Sequence, residues 1–286
     1  MANNNSWKKI FDDNKILKHD FSKLPFYLSA KDIKKSVQNF KNTTEKEVRI
    51  LCKMDTRESV PEIMKENGLV LLPVKNGQYV IVKGEGYVDI PEIKSEAEIY
   101  NTKLDFDLDT AKIGNSEMQH LDFAYASSLV RTFMNDPSLV LTIRGRKYTP
   151  EFSYKIGDNI IETKGVQTEV DAGYEGRDKV VLIEAKNSST KNTIIRQLYY
   201  PYRQWTEHTK KEVFLLFFEK RIDEYLIWQY KFTDKNSYDS IKLVKAKKYK
   251  IIWKMSKELK LHPDKFELEC TTVWAFPRRG NWATHT

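Results

Sequence analysis

Residues able to do chemistry crowd into one short stretch of this chain, positions 169–187. One end reads Glu169, Val170, Asp171, and the other reads Ile183, Glu184, Ala185, Lys186, Asn187. Gly173 and Gly176 lie between them and let the chain turn. Val180, Val181, Leu182 and Ile183 make the β-branched, apolar run of a strand buried on both faces. Alternate side chains of a strand share a face, so Glu184 and Lys186 point one way and Ala185 points into the packing on the other. A hairpin of the two segments brings Asp171 beside Glu184. Adjacent carboxylates repel, and a divalent cation is the simplest means of keeping both ionised. Such a trio suits hydrolysis: acids hold the cation, while an amine orients or deprotonates water or stabilises charge on the group attacked. The plainer alternative is a salt bridge at a strand end, which contributes little.

Asp171 stands thirteen positions before Glu184, which is followed by Ala185 and Lys186, and this pattern resembles the PD-(D/E)XK nuclease signature. Residues 169–175, Glu169, Val170, Asp171, Ala172, Gly173, Tyr174 and Glu175, are similar to one version of its first half. Val170 departs from it, standing where the signature has Pro. The resemblance covers residues 114–233, and the chain as a whole resembles type II restriction endonucleases of that superfamily. It implies an α/β (α+β) fold whose restriction-endonuclease-like core is a central mixed sheet flanked by helices. It implies Mg²⁺ held by Asp171, Glu184 and the carbonyl of Ala185, with Glu169 as a further metal-side carboxylate and Lys186 as the catalytic amine. In many such nucleases the first core helix carries a glutamate that assists a second metal. Glu117 holds that place, and it equally suits an acid that complements the helix dipole. Gln197 holds the place of a helix glutamine that supports the active site in some relatives. The implied substrate is double-stranded DNA, cut site-specifically by a homodimer, because a palindromic site needs two copies of the cutter. Two readings stay open beside it. One is a structure-specific repair or recombination nuclease on the same core; the other is a non-catalytic DNA-binding protein in which Glu184 is a structural charge.

Periodicity supplies the elements that must position these residues. A helix is expected over 117–135, capped by Ser116, with Leu121, Ala124, Tyr125, Ser128, Leu129 and Phe133 as its core stripe. Strands follow at 139–143, 151–156 and 160–163, then the motif pair. A helix over 193–209, kinked at Pro201, precedes strands at 213–218 and 225–232. This order is that of an α/β core. Upstream, two helical pieces span 7–40, with Ser29 as a cap. A short strand or buried segment occupies 48–52, a helix 54–67, and Asn76-Gly77 marks a hairpin. Helices followed by a hairpin are compatible with a winged-helix-like DNA reader or with an α+β support domain. The expected division is an N-terminal α+β domain at 1–110, a catalytic domain at 111–260 and a tail at 261–286.

The net charge of +8 is unevenly placed. Residues 1–110 hold 18 basic and 18 acidic side chains, whereas residues 188–286 hold 20 basic against 11 acidic. A basic flank beside an acidic centre suits a polyanion brought to a metal site; a solvated lysine-rich surface is the alternative. Candidate DNA contacts are Arg49, Lys53, Arg57 and Lys75 in the first region, and Arg144, Arg146 and Lys147 on a loop between strands. Arg196 and Arg203 join them on the later helix, interleaved with Tyr199, Tyr200 and Tyr202. Lysines across 238–260, on a strand and then a helix, could also grip phosphates. The tail's Phe276, Pro277, Arg278, Arg279 and Trp282 could contact DNA, contact a second subunit or fray. Two cysteines, Cys52 and Cys270, give no disulfide framework and fit a reducing cytoplasm. The absence of an apolar run of bilayer length predicts no membrane partner. The sequence also lacks a phosphate-cradling glycine loop, a serine elbow and paired histidines, so no nucleotide cofactor and no histidine metal site are expected.

Overall fold

A computed structural model describes residues 3–187 and 189–252. In chain order the first elements are α1 (Asn4–Asp13), β1 (Phe26–Ser29), α2 (Ala30–Val37), α3 (Thr43–Lys46), α4 (Val48–Leu51), α5 (Glu62–Glu66), β2 (Leu69–Lys75) and β3 (Gln78–Lys83). Then come β4 (Tyr87–Asp89), β5 (Glu98–Asn101), α6 (Glu117–Ala126), α7 (Leu129–Phe133), β6 (Val140–Tyr148), β7 (Phe152–Ile156) and β8 (Asn159–Thr163). The motif strands are β9 (Gln167–Glu175) and β10 (Lys179–Lys186), followed by β11 (Asn192–Ile194), α8 (Arg196–His208), β12 (Glu212–Arg221), β13 (Glu224–Phe232) and β14 (Ile241–Ile252).

Among the described residues, seven strands form one mixed sheet in the order β5-β14-β13-β12-β10-β9-β6. The apolar run of β10 lies near its middle, antiparallel to β9 and parallel to β12, with α8 as the crossover between the parallel pair. Its side chains feed two separate cores, as period-two alternation requires. Val180 and Leu182 pack with Leu215, Phe217, Leu198 and Tyr199 on the side of α8. Val181, Ile183 and Ala185 pack with Leu216, Phe218, Leu121, Ala124 and Leu129 on the side of α6 and α7. The fold is therefore a mixed α/β architecture with a large mixed sheet flanked by helices. The N-terminal elements share the α8-side core: Trp7, Ile33, Leu71 and Val80 belong to the same cluster as Leu198. β1, β3 and β2 make a three-stranded sheet, with Gly77 at φ 71° in the Asn76-Gly77 turn where only glycine is unstrained. β5, shortly before the division expected at position 110, joins the large sheet beside β14.

Several local expectations are corrected. The helix over 117–135 breaks into α6 and α7 because Ser128 takes a left-handed φ of 67°. Residues 48–52, expected as a short strand or a buried segment, form a single helical turn around the buried Leu51, closed by the Cys52 N to Val48 O bond (2.9 Å) and by Trp7 Nε1, which donates to Leu51 O (3.1 Å). The helix expected over 54–67 begins at Glu62, after Pro61. Thr193 and Ile194 belong to β11, paired with β4, so the later helix starts at Arg196. Residues 144–147 lie inside β6, where two register shifts and Gly145 at φ 74° let the strand continue along β9. The Ser29 cap is present as a reciprocal capping box with Asp32. The helix expected after the lysine-rich strand and the tail at 261–286, including Phe276 to Trp282, lie outside the described residues. Among the described residues no helix is long and apolar enough to cross a membrane.

Candidate active site

The antiparallel ladder of β9 and β10 runs to the pair Ala172–Ile183, so the next residue on each strand, Asp171 and Glu184, is delivered to the same end of the hairpin. The backbone N–H of Ala185 donates to Asp171 Oδ2 at 2.8 Å, which fixes that carboxylate against the other strand. Ala185 is fully buried in the α6-side core, while Glu184 and Lys186 line a cleft on the α8 side. Alternation along β10 thus separates the packing residue from the two chemical ones. Lys186 Nζ donates to Glu184 Oε1, and Gln197 Nε2 donates to the same oxygen at 2.7 Å. The Gln197 amide is held in turn by the Thr193 hydroxyl, which donates to its Oε1 at 2.8 Å.

Burial sets the electrostatics of this floor. Glu184 is 8% exposed, and burial, with Asp171 adding repulsion and Lys186 opposing, pushes its carboxyl up to about 7. Asp171 is also raised, first by burial; the Ala185 N–H and Lys186 oppose the rise while Glu117 and Glu169 add to it. Burial works against the charge of Lys186, yet Glu184, Asp171 and Glu117 outweigh it and hold the amine above the usual lysine value. The amine donates to Glu184 Oε1 and faces the cleft, a placement suited to orienting a neighbouring group or stabilising negative charge.

The cleft has a volume of about 530 Å³. Glu169, Asp171, Glu184, Lys186, Arg196 and Gln197 line it from the core, and Arg49, Lys53 and Lys75 line it from the N-terminal elements. Residues from far ends of the sequence therefore face the same space. Asp55, which sequence reasoning passed over, also lines it: its carboxylate lies 3.9 Å from Arg196 and 3.6 Å from Lys53. Thr193 was equally hidden, its only sequence signal being helical i,i+4 spacing to Gln197, a helix that does not extend that far.

Other predicted residues fall elsewhere. Glu117 opens α6 under the Ser116 cap and accepts from the Asn187 backbone N–H at 3.3 Å, next to the end of β10 but outside the residues lining the cleft. Arg144 turns back into the fold, donating to Asp171 O at 3.1 Å and pairing with Asp122; it supports the motif strand from behind. Arg146 pairs with Glu169 at 3.4 Å, and Lys147 is exposed on β6. Arg57 is engaged by Asp89, Glu85 and the Tyr87 carbonyl, away from the cleft. Arg203 is corrected outright as a DNA contact. It is 4% exposed, donates to Ser153 O at 2.9 Å and lies 4.6 Å over the Phe152 ring, so its charge is spent on packing and backbone carbonyls. Tyr199 and Tyr200 are likewise core residues. Most of the lysines of β14 meet internal partners: Lys247 with Glu98, Lys248 with Glu224, Lys250 with Asp223, and Lys245 with the Phe133 carbonyl.

Among the described residues no three His, Cys, Asp or Glu side chains converge as a metal-holding group. Two carboxylates do converge, and burial, ahead of repulsion from neighbouring carboxylates, raises both above their ordinary values. That donor set fits Mg²⁺, which is commonly bound through one or two carboxylates and keeps several waters, and it fits poorly a metal that demands an all-protein cage.

In comparisons with known proteins, the family described as domain of unknown function (DUF6997) matches residues 82–250, and a second described as domain of unknown function (DUF6996) matches residues 4–81. No curated protein and no solved structure matches the chain.

Proposed function

We propose that this chain, which belongs to the DUF6997 family, is a Mg²⁺-dependent DNA endonuclease of restriction type on a PD-(D/E)XK-like core. The observation that carries the reading is the hairpin end at which Asp171 and Glu184 meet beside Lys186, with Gln197 bonded to Glu184, on the floor of a cleft rimmed by Arg49, Lys53, Lys75 and Arg196. The element order supports it as well: α6, then β6, β9 and β10, then α8 crossing to parallel β12, with helices on both faces.

Asp171, Glu184 and the Ala185 carbonyl would hold the cation. When bound, Mg²⁺ neutralises charge on a phosphate and acidifies its own water. The chain's residues do the rest. Lys186 faces the cleft, where its amine would stabilise charge on the phosphate or orient the attacking water. Gln197 and Lys186 together fix Glu184 Oε1. Arg49, Lys53, Lys75 and Arg196 meet the DNA backbone and set its register. A homodimer would present two such sites to a palindromic sequence.

Purified protein incubated with plasmid DNA and Mg²⁺ should yield discrete fragments, and Asp171→Ala and Lys186→Ala should each lose cleavage while retaining DNA binding. Undiminished cleavage by both variants, or none by the wild type, would sink the proposal.

A further inference from the structure

β11 holds two polar side chains out of water next to the Asp171–Glu184 floor: Asn192 is 4% exposed and Thr193 1%. The Asn192 amide accepts from the backbone N–H of Arg57 at 2.7 Å and donates to both carboxylate oxygens of Glu58 at 3.1 and 3.2 Å. The backbone N–H of Ile194 donates to Asp55 O at 2.9 Å, and that of Ile195 to Gly86 O at 2.9 Å. The short strand is thereby fixed to residues 55–58, which follow Lys53 in the N-terminal wall of the cleft. The middle residue of β11 acts in the other direction. Its hydroxyl donates to Gln197 Oε1, and Gln197 Nε2 donates to Glu184. An ionised carboxylate only accepts, so with Glu184 charged Gln197 turns its NH₂ toward Glu184 and its carbonyl toward position 193, where a hydroxyl meets it.

We propose that β11 is a positioning strut: Asn192 ties it to the N-terminal wall, Thr193 orients the Gln197 amide, and that amide fixes Glu184 Oε1. Contacts made by substrate with Lys53, on the wall to which the strut is tied, are thereby linked to the geometry of the Glu184 carboxylate. The kinetic consequence rests on the nuclease reading; the orientation of Gln197 does not.

Thr193→Val keeps the shape and suits a strand while removing only the donor. Single-turnover cleavage should fall about tenfold and the Mg²⁺ concentration at half-maximal rate should rise, as when a partner behind a metal ligand is lost, with DNA affinity unchanged. Thr193→Ser should restore both. Independently of activity, the side-chain NH₂ resonances of Gln197 in ¹⁵N spectra should shift in Thr193→Val and return in Thr193→Ser. Glu58→Gln, at the exposed end of the strut, should give a smaller loss that does not add to that of Thr193→Val. Shifted Gln197 resonances in a protein inert toward DNA would keep the strut and remove the nuclease reading. Unmoved resonances, or unchanged cleavage and Mg²⁺ dependence in Thr193→Val, would overturn the strut.

Discussion

Replacing Glu184 by Gln should remove a pH dependence of stability that the wild-type protein carries. Glu184 is 8% exposed, and burial, reinforced by Asp171, moves its carboxyl from 4.5 to about 7 in spite of Lys186. The unfolded chain titrates at the ordinary value. Between the two, the folded protein holds a proton that the unfolded chain has released, so stability falls as pH rises through the window. This contribution is fully present below 4.5 and lost above about 7. At about 1.4 kcal/mol per pH unit, the excursion amounts to roughly 3 kcal/mol. Gln has the same shape and no proton to lose. Urea denaturation of both proteins at fixed ionic strength, in chelator, should show the variant gaining on the wild type by roughly that amount between about pH 4.5 and about pH 8. Glu219, also raised first by burial, titrates in both proteins and cancels in the difference. Mg²⁺ should restore stability to the wild type at high pH and leave the variant unmoved, and its apparent affinity for the wild type should weaken about tenfold per pH unit below about 7, since the cation must displace the proton. A stability difference independent of pH, or equal stabilisation of both proteins by Mg²⁺, would refute a buried acid held under electrostatic opposition.

Three further outcomes are expected. Arg203→Met should cost about 1–3 kcal/mol in urea denaturation, because the Ser153 carbonyl loses its donor, and should leave DNA affinity in a fluorescence-anisotropy titration unchanged. Gly173→Ala should destabilise by about 1–3 kcal/mol, since the added Cβ would fall 2.6 Å from Ile143 Cβ and force β6 from β9 beside Asp171; thermal melts of the two proteins measure it. Lys53→Ala and Lys75→Ala should each lower the slope of log binding constant against log salt by about one, and a slope unaltered in both would place DNA outside this cleft.

The placement of the polar residues at the end of β10 was legible because its grammar is local. An alternating strand assigns Glu184 and Lys186 to one face and Ala185 to the other whatever the rest of the chain does, and a hairpin of two such segments brings Asp171 to Glu184 with little freedom in between. The Asn76-Gly77 hairpin and the Ser29 cap were legible for the same reason, each resting on the conformational preference of one or two residues. Arg203 was misread because a helix bearing arginines and tyrosines has the same composition whether those side chains face a groove or a core. The loop expected at 144–147 failed likewise: a bulged strand and a basic turn share glycine and charge, and only pairing with β9 distinguishes them. Thr193 sat at helical spacing to Gln197, and pairing with β4 made it a strand residue instead.

By itself, then, the sequence determined which residues share a face along β10, which side chains carry charge, and that the chain alternates helices and strands around a buried sheet. Tertiary structure alone decided that Arg49, Lys53 and Lys75 face Asp171 and Glu184 across one cleft, that Arg203 lies beneath the surface, and that Glu184 resists ionisation. The physical reason is range. Alternation and capping act over a few neighbouring residues, whereas burial and opposing charge are summed over groups more than a hundred positions apart in the chain, and their sum exists only once the two cores have closed.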